Sequence, residues 1–124
     1  MINVGTDLVS IARIREAYDR FGERFLRRYL HPDESSGKSL ETLAGYWAAK
    51  EAIAKAFGCG IGAELGFHDI RLRHDAKGAP SFTLSKSALR RFPMRDASLS
   101  ISHDGGFALA VVIVVLDTRD NPLS

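Results

Sequence analysis

The sequence predicts a single α+β domain with elements in the order β-α-α-α-β-β-α-β-β. Three observations lead there. Residues 40–57 are strong helix formers that run without a proline to Gly58. Residues 67–73 and 80–84, then 98–102 and 107–116, form two pairs of strand-like stretches joined by turn residues. The 124 residues contain no repeat, no low-complexity tract and no linker, so residues 1–124 are read as one domain with one core.

Residues 2–8 open the chain as an apolar strand interrupted by Gly5. Ser10 is placed to cap a helix whose apolar residues Ile11, Ile14, Tyr18 and Phe21 recur at helical spacing. Gly22 weakens or bends it. A second helical piece carries Phe25, Leu26, Tyr29 and Leu30 and ends near His31-Pro32, because proline disfavours helical geometry in the residue before it. Residues 35–39 read as a loop. Around the 40–57 helix the alanines, Leu43, Ile53 and Phe57 cover most of the cylinder, so it is expected to be central and mostly buried. Gly58 to Gly62 form its flexible exit. Residues 67–73 are β-like, Asp75-Ala76-Lys77-Gly78 is a turn, and 80–84 is the returning strand. Ser85 caps a short helix that Phe92-Pro93 closes. The last two strands flank His103-Asp104-Gly105-Gly106, where Asp-Gly signals a hairpin.

Composition narrows the function classes. Hydrophobic residues make up 45% and charged residues 26%, which excludes a disordered chain. The longest apolar run, 107–116, is about half the roughly 20 residues of a membrane-spanning helix. The first residues lack a basic stretch followed by an apolar one, so no membrane or secretory role is expected. The single Cys59 cannot form an internal disulfide, and a reducing cytoplasm is the expected setting. A net charge of +2 is too slight for general nucleic-acid binding, and the strands carry no paired exposed aromatics to stack bases.

Lys50, Glu51 and Lys55 make a narrow charged wedge on the otherwise apolar 40–57 helix. Glu51 and Lys55 stand at i and i+4, acid before base. They are either a surface ion pair or charges kept for a ligand or metal, since unpaired buried charge is costly. Asp7, expected at the end of the first strand, is either a turn or capping aspartate or a ligand. Two such carboxylates together would suit Mg²⁺, which takes one or two protein carboxylates and completes its octahedron with water and phosphate. Lys55 would then offset charge on phosphate oxygens. Arg13, Arg20, Arg24 and Arg27 recur at spacings of 7, 4 and 3, which one continuous helix would align. That stripe is a solvated face or a dock for an acidic protein. Ser102, His103 and Asp104 cannot form a triad among themselves, because successive strand side chains point to opposite faces. Cys59 and the four histidines lack zinc-ligand spacing. The glycines at 58, 60 and 62 follow a helix, whereas a dinucleotide-binding loop must follow a strand.

The run Gly5-Thr6-Asp7-Leu8-Val9-Ser10-Ile11-Ala12-Arg13-Ile14 resembles the G-x-D-x-x-x-I-x-R-I opening of the holo-acyl-carrier-protein synthases, the small 4′-phosphopantetheinyl transferases. Trp47-Ala48-Ala49-Lys50-Glu51-Ala52-Ile53-Ala54-Lys55-Ala56-Phe57-Gly58 resembles their W/F-x-x-K-E-A-x-x-K-A-x-G motif, with 44 positions from acid to acid. Leu99-Ser100-Ile101-Ser102-His103 is similar to the family's S-I-S-H segment, and Gly78-Ala79-Pro80 to its G-x-P turn. The resemblance implies transfer of 4′-phosphopantetheine from coenzyme A to a serine of apo-acyl carrier protein for fatty acid biosynthesis, leaving adenosine 3′,5′-bisphosphate. It implies that Asp7 and Glu51 hold Mg²⁺ on the coenzyme A pyrophosphate and that Lys55 contacts the same phosphates. It also implies that Gly58, Gly78, Pro80 and His103 line the coenzyme A site, and that Arg13, Arg20 and Arg24 meet the acidic carrier. A homotrimer with each site between neighbouring subunits is implied too, which would cover strand 107–116 on both faces. The chain departs from the family pattern at Tyr46, where arginine is common, at Ser10, often acidic, and at Cys59, often threonine. None of these removes a metal ligand.

Overall fold

In the computed structural model, which describes residues 1–117, a long helix lies across a three-stranded antiparallel sheet. The last seven residues of the expected 1–124 domain lie outside the described residues. The elements are β1 (Ile2–Ser10), α1 (Ile11–Phe21), α2 (Glu23–Tyr29), α3 (Pro32–Ser35), α4 (Leu40–Ala56), β2 (Ile70–His74), β3 (Pro80–Leu84), α5 (Lys86–Arg91), β4 (Met94–Asp104) and β5 (Phe107–Leu116). The sheet has the order β1-β5-β4, and β2 and β3 form a separate hairpin. The predicted fold class and element order hold, with the one-turn helix α3 added. No helix of the described residues is long and apolar enough to cross a membrane.

Small residues on both sides let α4 approach the sheet closely. Ala48, Ala49, Ala52 and Ala56 on the helix and Ala108 and Ala110 on β5 are all buried. The limit is reached at Gly5, where a Cβ would run into the backbone carbonyl of Ala52. Gly5 therefore does not interrupt β1; it pairs with Val112 inside a continuous ladder and makes room for the helix. Gly5→Ala is expected to destabilise the domain by at least about 1–3 kcal/mol, measured as a lower urea midpoint at unchanged slope.

Other differences from the sequence reading have simple causes. Residues 67–69 form a 3₁₀ turn, held by the Asp69 carboxylate accepting from the Gly66 N–H at 2.9 Å, so β2 starts only at Ile70. β4 starts at Met94, because the alternation of buried Leu99 and half-buried Ala97 and Ile101 with exposed Asp96, Ser98, Ser100 and Ser102 begins earlier than 98. The hairpin turn is Gly105-Gly106, with φ of 58° and 84°, and Asp104 already pairs with Phe107. β5 is not covered on both faces within one chain. Ala108, Ala110, Val112 and Val114 point inward, whereas Phe107, Leu109 and Ile113 are exposed.

One buried ion pair ties the helices to the β2–β3 hairpin. Lys50 Nζ donates to Glu34 Oε1 at 2.9 Å and to the Phe67 carbonyl at 3.1 Å. Glu34 also accepts the backbone N–H groups of His31 and Leu72, at 2.6 and 2.8 Å. Burial pulls the Lys50 pKa below the usual lysine range, and the Glu34 carboxylate opposes that shift. Lys50 thus belongs to the core and not to the charged face of α4.

Candidate active site

Asp7 sits inside β1, opposite Ala110, and not at the strand's end as the sequence suggested. Alternation along the strand places Gly5, Asp7 and Val9 on the face toward α4, with Val4, Thr6 and Leu8 outward. The close approach at Gly5 then brings one turn of α4 beside the Asp7 carboxylate. Lys55 Nζ donates to Asp7 Oδ1 at 3.0 Å and to the Thr6 carbonyl at 3.2 Å. The Lys55 side chain remains 52% exposed, whereas Asp7 is 15% exposed. Lys55 therefore pairs with Asp7 across the fold, and the i, i+4 pairing with Glu51 is not the contact it makes.

Glu51 lies on the same side of α4, and Asp7 and Glu51 line one cavity of about 390 Å³. Burial raises the Glu51 pKa above the ordinary carboxylate range, the Asp7 charge raises it further, and Lys55 opposes both. The two carboxylates repel each other; Lys55 engages Asp7 Oδ1, which leaves the second Asp7 oxygen and the Glu51 carboxylate to face a cation. The donor set is hard and all-oxygen. That fits a hard divalent ion completing its shell with water and phosphate better than a nitrogen- or sulfur-seeking metal. Ile14, Phe25 and Trp47 add apolar surface to its lining. Phe25 and Trp47 stack with ring centroids 5.9 Å apart. The sequence reading placed Ile14 and Phe25 as apolar helix positions and Trp47 in a motif but gave none of them a site role, because a Phe or Trp at helical spacing also reads as core.

Arg13 lines the same cavity, one turn past the Ser10 cap. The arginines do not lie on one continuous helix. Gly22, with φ of 62°, ends α1 and starts α2, so Arg20 and Arg24 sit on either side of an elbow. Arg20 packs over the exposed Phe21 ring, 5.2 Å from its centroid. Arg24 shares a shallow groove with Phe21, Phe25 and Arg28. Phe25 borders both cavities, so the groove of Arg24 and Arg28 adjoins the cleft.

The remaining predicted residues lie elsewhere in the chain. Gly58, exposed with φ of 82°, closes α4 by donating its N–H to the Lys55 carbonyl at 2.9 Å. Gly78, Pro80 and His103 line a second pocket with Tyr46 and His74, which shares no residue with the Asp7–Glu51 cleft. One chain therefore does not bring these two groups together.

Residues 3–112 match the family model of the 4′-phosphopantetheinyl transferase superfamily. The chain belongs to that superfamily. Within it, the chain is 59% identical over 114 residues to a holo-[acyl-carrier-protein] synthase of Sulfurovum sp., covering 91% of this chain and 96% of the relative. Its fold is similar to the crystal structure of Helicobacter pylori holo-[acyl-carrier-protein] synthase in complex with coenzyme A, with a TM-score of 0.87 and 46% identity over 90% of this chain and 99% of that one. It is also similar to the Neisseria meningitidis holo-[acyl-carrier-protein] synthase, with a TM-score of 0.84 and 38% identity over 93% and 99% of the two chains. The superfamily match spans both the β1 and the α4 segments that build the cleft.

Proposed function

We propose that the chain is a holo-[acyl-carrier-protein] synthase, which moves 4′-phosphopantetheine from coenzyme A to a serine of apo-acyl carrier protein. The observation that carries this reading is the meeting of Asp7 and Glu51 in one cleft, with Lys55 paired to Asp7, in a chain of this superfamily. The serine oxygen bonds to the β-phosphorus while the bond from that phosphorus to the bridging oxygen breaks, and adenosine 3′,5′-bisphosphate leaves. Lys55, half-exposed and already donating to Asp7 and the Thr6 carbonyl, has one further N–H donor to offer the phosphoryl oxygens. Asp7 and Glu51 would hold Mg²⁺, which when bound neutralises charge on the pyrophosphate and the leaving group. Glu51 takes the serine proton through a water. Trp47, Phe25 and Ile14 keep bulk water from that side of the cleft.

Arg13, Arg20 and Arg24 dock the acidic carrier around the cleft mouth. Reversing charge at Arg20 or Arg24 is expected to raise the KM for the carrier about tenfold while leaving coenzyme A binding unchanged, because complementary charge acts on encounter and register. Titration of each substrate separately checks this.

The outward apolar residues of β1 and β5 support a homotrimer. Ile2, Val4 and Leu8 on one strand and Phe107, Leu109 and Ile113 on its neighbour make one exposed apolar sheet face. In that assembly the pocket of Gly78, Pro80 and His103 on one subunit meets the Asp7–Glu51 cleft of the next, and Gly58 lies near the join. Val4→Glu or Leu109→Glu is expected to give monomers by light scattering and to abolish transfer together; a monomeric variant with full activity would contradict the shared site.

The reading itself is tested by incubating the protein with coenzyme A, Mg²⁺ and apo-acyl carrier protein. The carrier should gain the mass of one phosphopantetheinyl group, and a carrier lacking the acceptor serine should gain none. No mass gain on a competent carrier would overturn it.

A further inference from the structure

The last carbonyls of a helix have no partner within it, and α4 ends in the turn that carries Lys55. The chain that follows serves three of them. Phe57 donates its N–H to the Ile53 and Ala54 carbonyls at 3.3 and 3.2 Å, Gly60 donates to Ala54 at 3.3 Å, and Gly58 donates to Lys55 at 2.9 Å. None of these N–H groups reaches the Ala56 carbonyl. Its donor comes from the first strand, 53 positions away, where Asn3 Nδ2 lies 3.0 Å from it. Asn3 stands on the inward face of β1 with Gly5 and Asp7, so one strand face meets α4 at three successive points. Asn3 holds Ala56, Gly5 makes room for the Ala52 carbonyl, and Asp7 accepts from Lys55.

The three contacts do different things. Close packing at Gly5 sets how near the helix comes, but it supplies no directional bond. The Asp7–Lys55 pair is open to water, and such a pair holds a long side chain weakly. The Asn3 bond is directional and half-buried, and it acts on the residue next to Lys55. The lysine stem is flexible, so the space its ammonium samples follows from how firmly its backbone is held. We propose that Asn3 is a positioning residue for Lys55: by donating to the Ala56 carbonyl it holds the last turn of α4 against β1. The Lys55 ammonium then stays where it bonds Asp7 and offers its remaining N–H to the phosphoryl oxygens. This rests on the transferase reading and adds one residue to it, which touches no substrate.

Asn3→Leu keeps the shape of the side chain and removes the donor. It is expected to lower kcat about two- to tenfold, the range that one neutral hydrogen bond spans, with the KM for the carrier unchanged. Asn3→Ala should do the same, so that the loss follows the donor and not the packing. The deciding comparison is a double-mutant cycle with Lys55→Met, read as single turnovers with enzyme in excess. Once Lys55 is replaced, Asn3→Leu should cost no further activity. Its urea midpoint should still fall in both backgrounds, because the Ala56 carbonyl is left without its donor in each. An undiminished loss of rate in the Lys55→Met background would mean that Asn3 does not act through Lys55 and would overturn the proposal. Wild-type kcat in Asn3→Leu would overturn it too. In either case transfer by the wild-type protein leaves the transferase reading standing, whereas a wild-type protein that does not modify the carrier overturns both.

Discussion

Asp7→Asn and Glu51→Gln are each expected to lower the rate of phosphopantetheinyl transfer by about 10²–10³-fold, with the fold intact. The size follows from losing one charged oxygen donor at the point where phosphate charge develops. The intact fold follows from the surroundings of each carboxylate. Asp7 pairs with a lysine that is 52% exposed, and such pairs contribute little to stability. The Glu51 pKa is raised in the fold, so its protonated form is favoured there relative to the unfolded chain. The stability difference it makes is present below the ordinary carboxylate pKa and is lost as pH rises through the raised one. At neutral pH the ionised Glu51 is therefore a burden, and a neutral glutamine should leave the urea midpoint unchanged or higher. Steady-state rates and urea unfolding of the same preparations check both halves. Near-normal turnover in either variant would remove that carboxylate from the site.

Lys50→Met is expected to do the opposite: it should destabilise the domain by about 3–5 kcal/mol without touching the cleft. The Lys50 side chain is fully buried, and its removal leaves the Glu34 carboxylate 2% exposed with only two backbone donors. Lys55→Met, five residues further along α4, should cost less than about 1 kcal/mol, because its pair with Asp7 is open to water. The two lysines look alike in the sequence, so urea midpoints of the two variants measure how far the fold separates them. Similar losses would contradict the assignment of Lys50 to the core and Lys55 to the site.

That contrast shows what the sequence carries and what it does not. Periodicity and punctuation were enough to place α4, β3, α5 and β5 closely, because buried alanines, caps and Pro93 act locally. Contacts between distant segments leave no such mark. Helical spacing could offer Lys55 only Glu51, whereas its partner Asp7 is 48 positions away and reachable only because Gly5 lets α4 settle on β1. Glu34 lies beside a stretch without periodicity, so neither its one-turn helix nor its burial was legible. The arginine spacing suggested one helix, and a single glycine at φ of 62° turned it into two. Asp7 and Glu51 were candidates from their positions on the first strand and the 40–57 helix before motif resemblance reinforced them, and the structure places both in one cleft.

The central claim is that Asp7 and Glu51 together hold the divalent ion on which transfer depends. Electron paramagnetic resonance of Mn²⁺ titrated with the protein in the presence of coenzyme A measures that directly, without requiring turnover. Replacing even an outer-shell partner of a bound metal typically costs 10–100-fold in affinity, so losing a ligand should cost at least as much. The account predicts saturable binding by the wild-type protein and at least about tenfold weaker binding by both Asp7→Asn and Glu51→Gln. Wild-type Mn²⁺ affinity in either variant would contradict it.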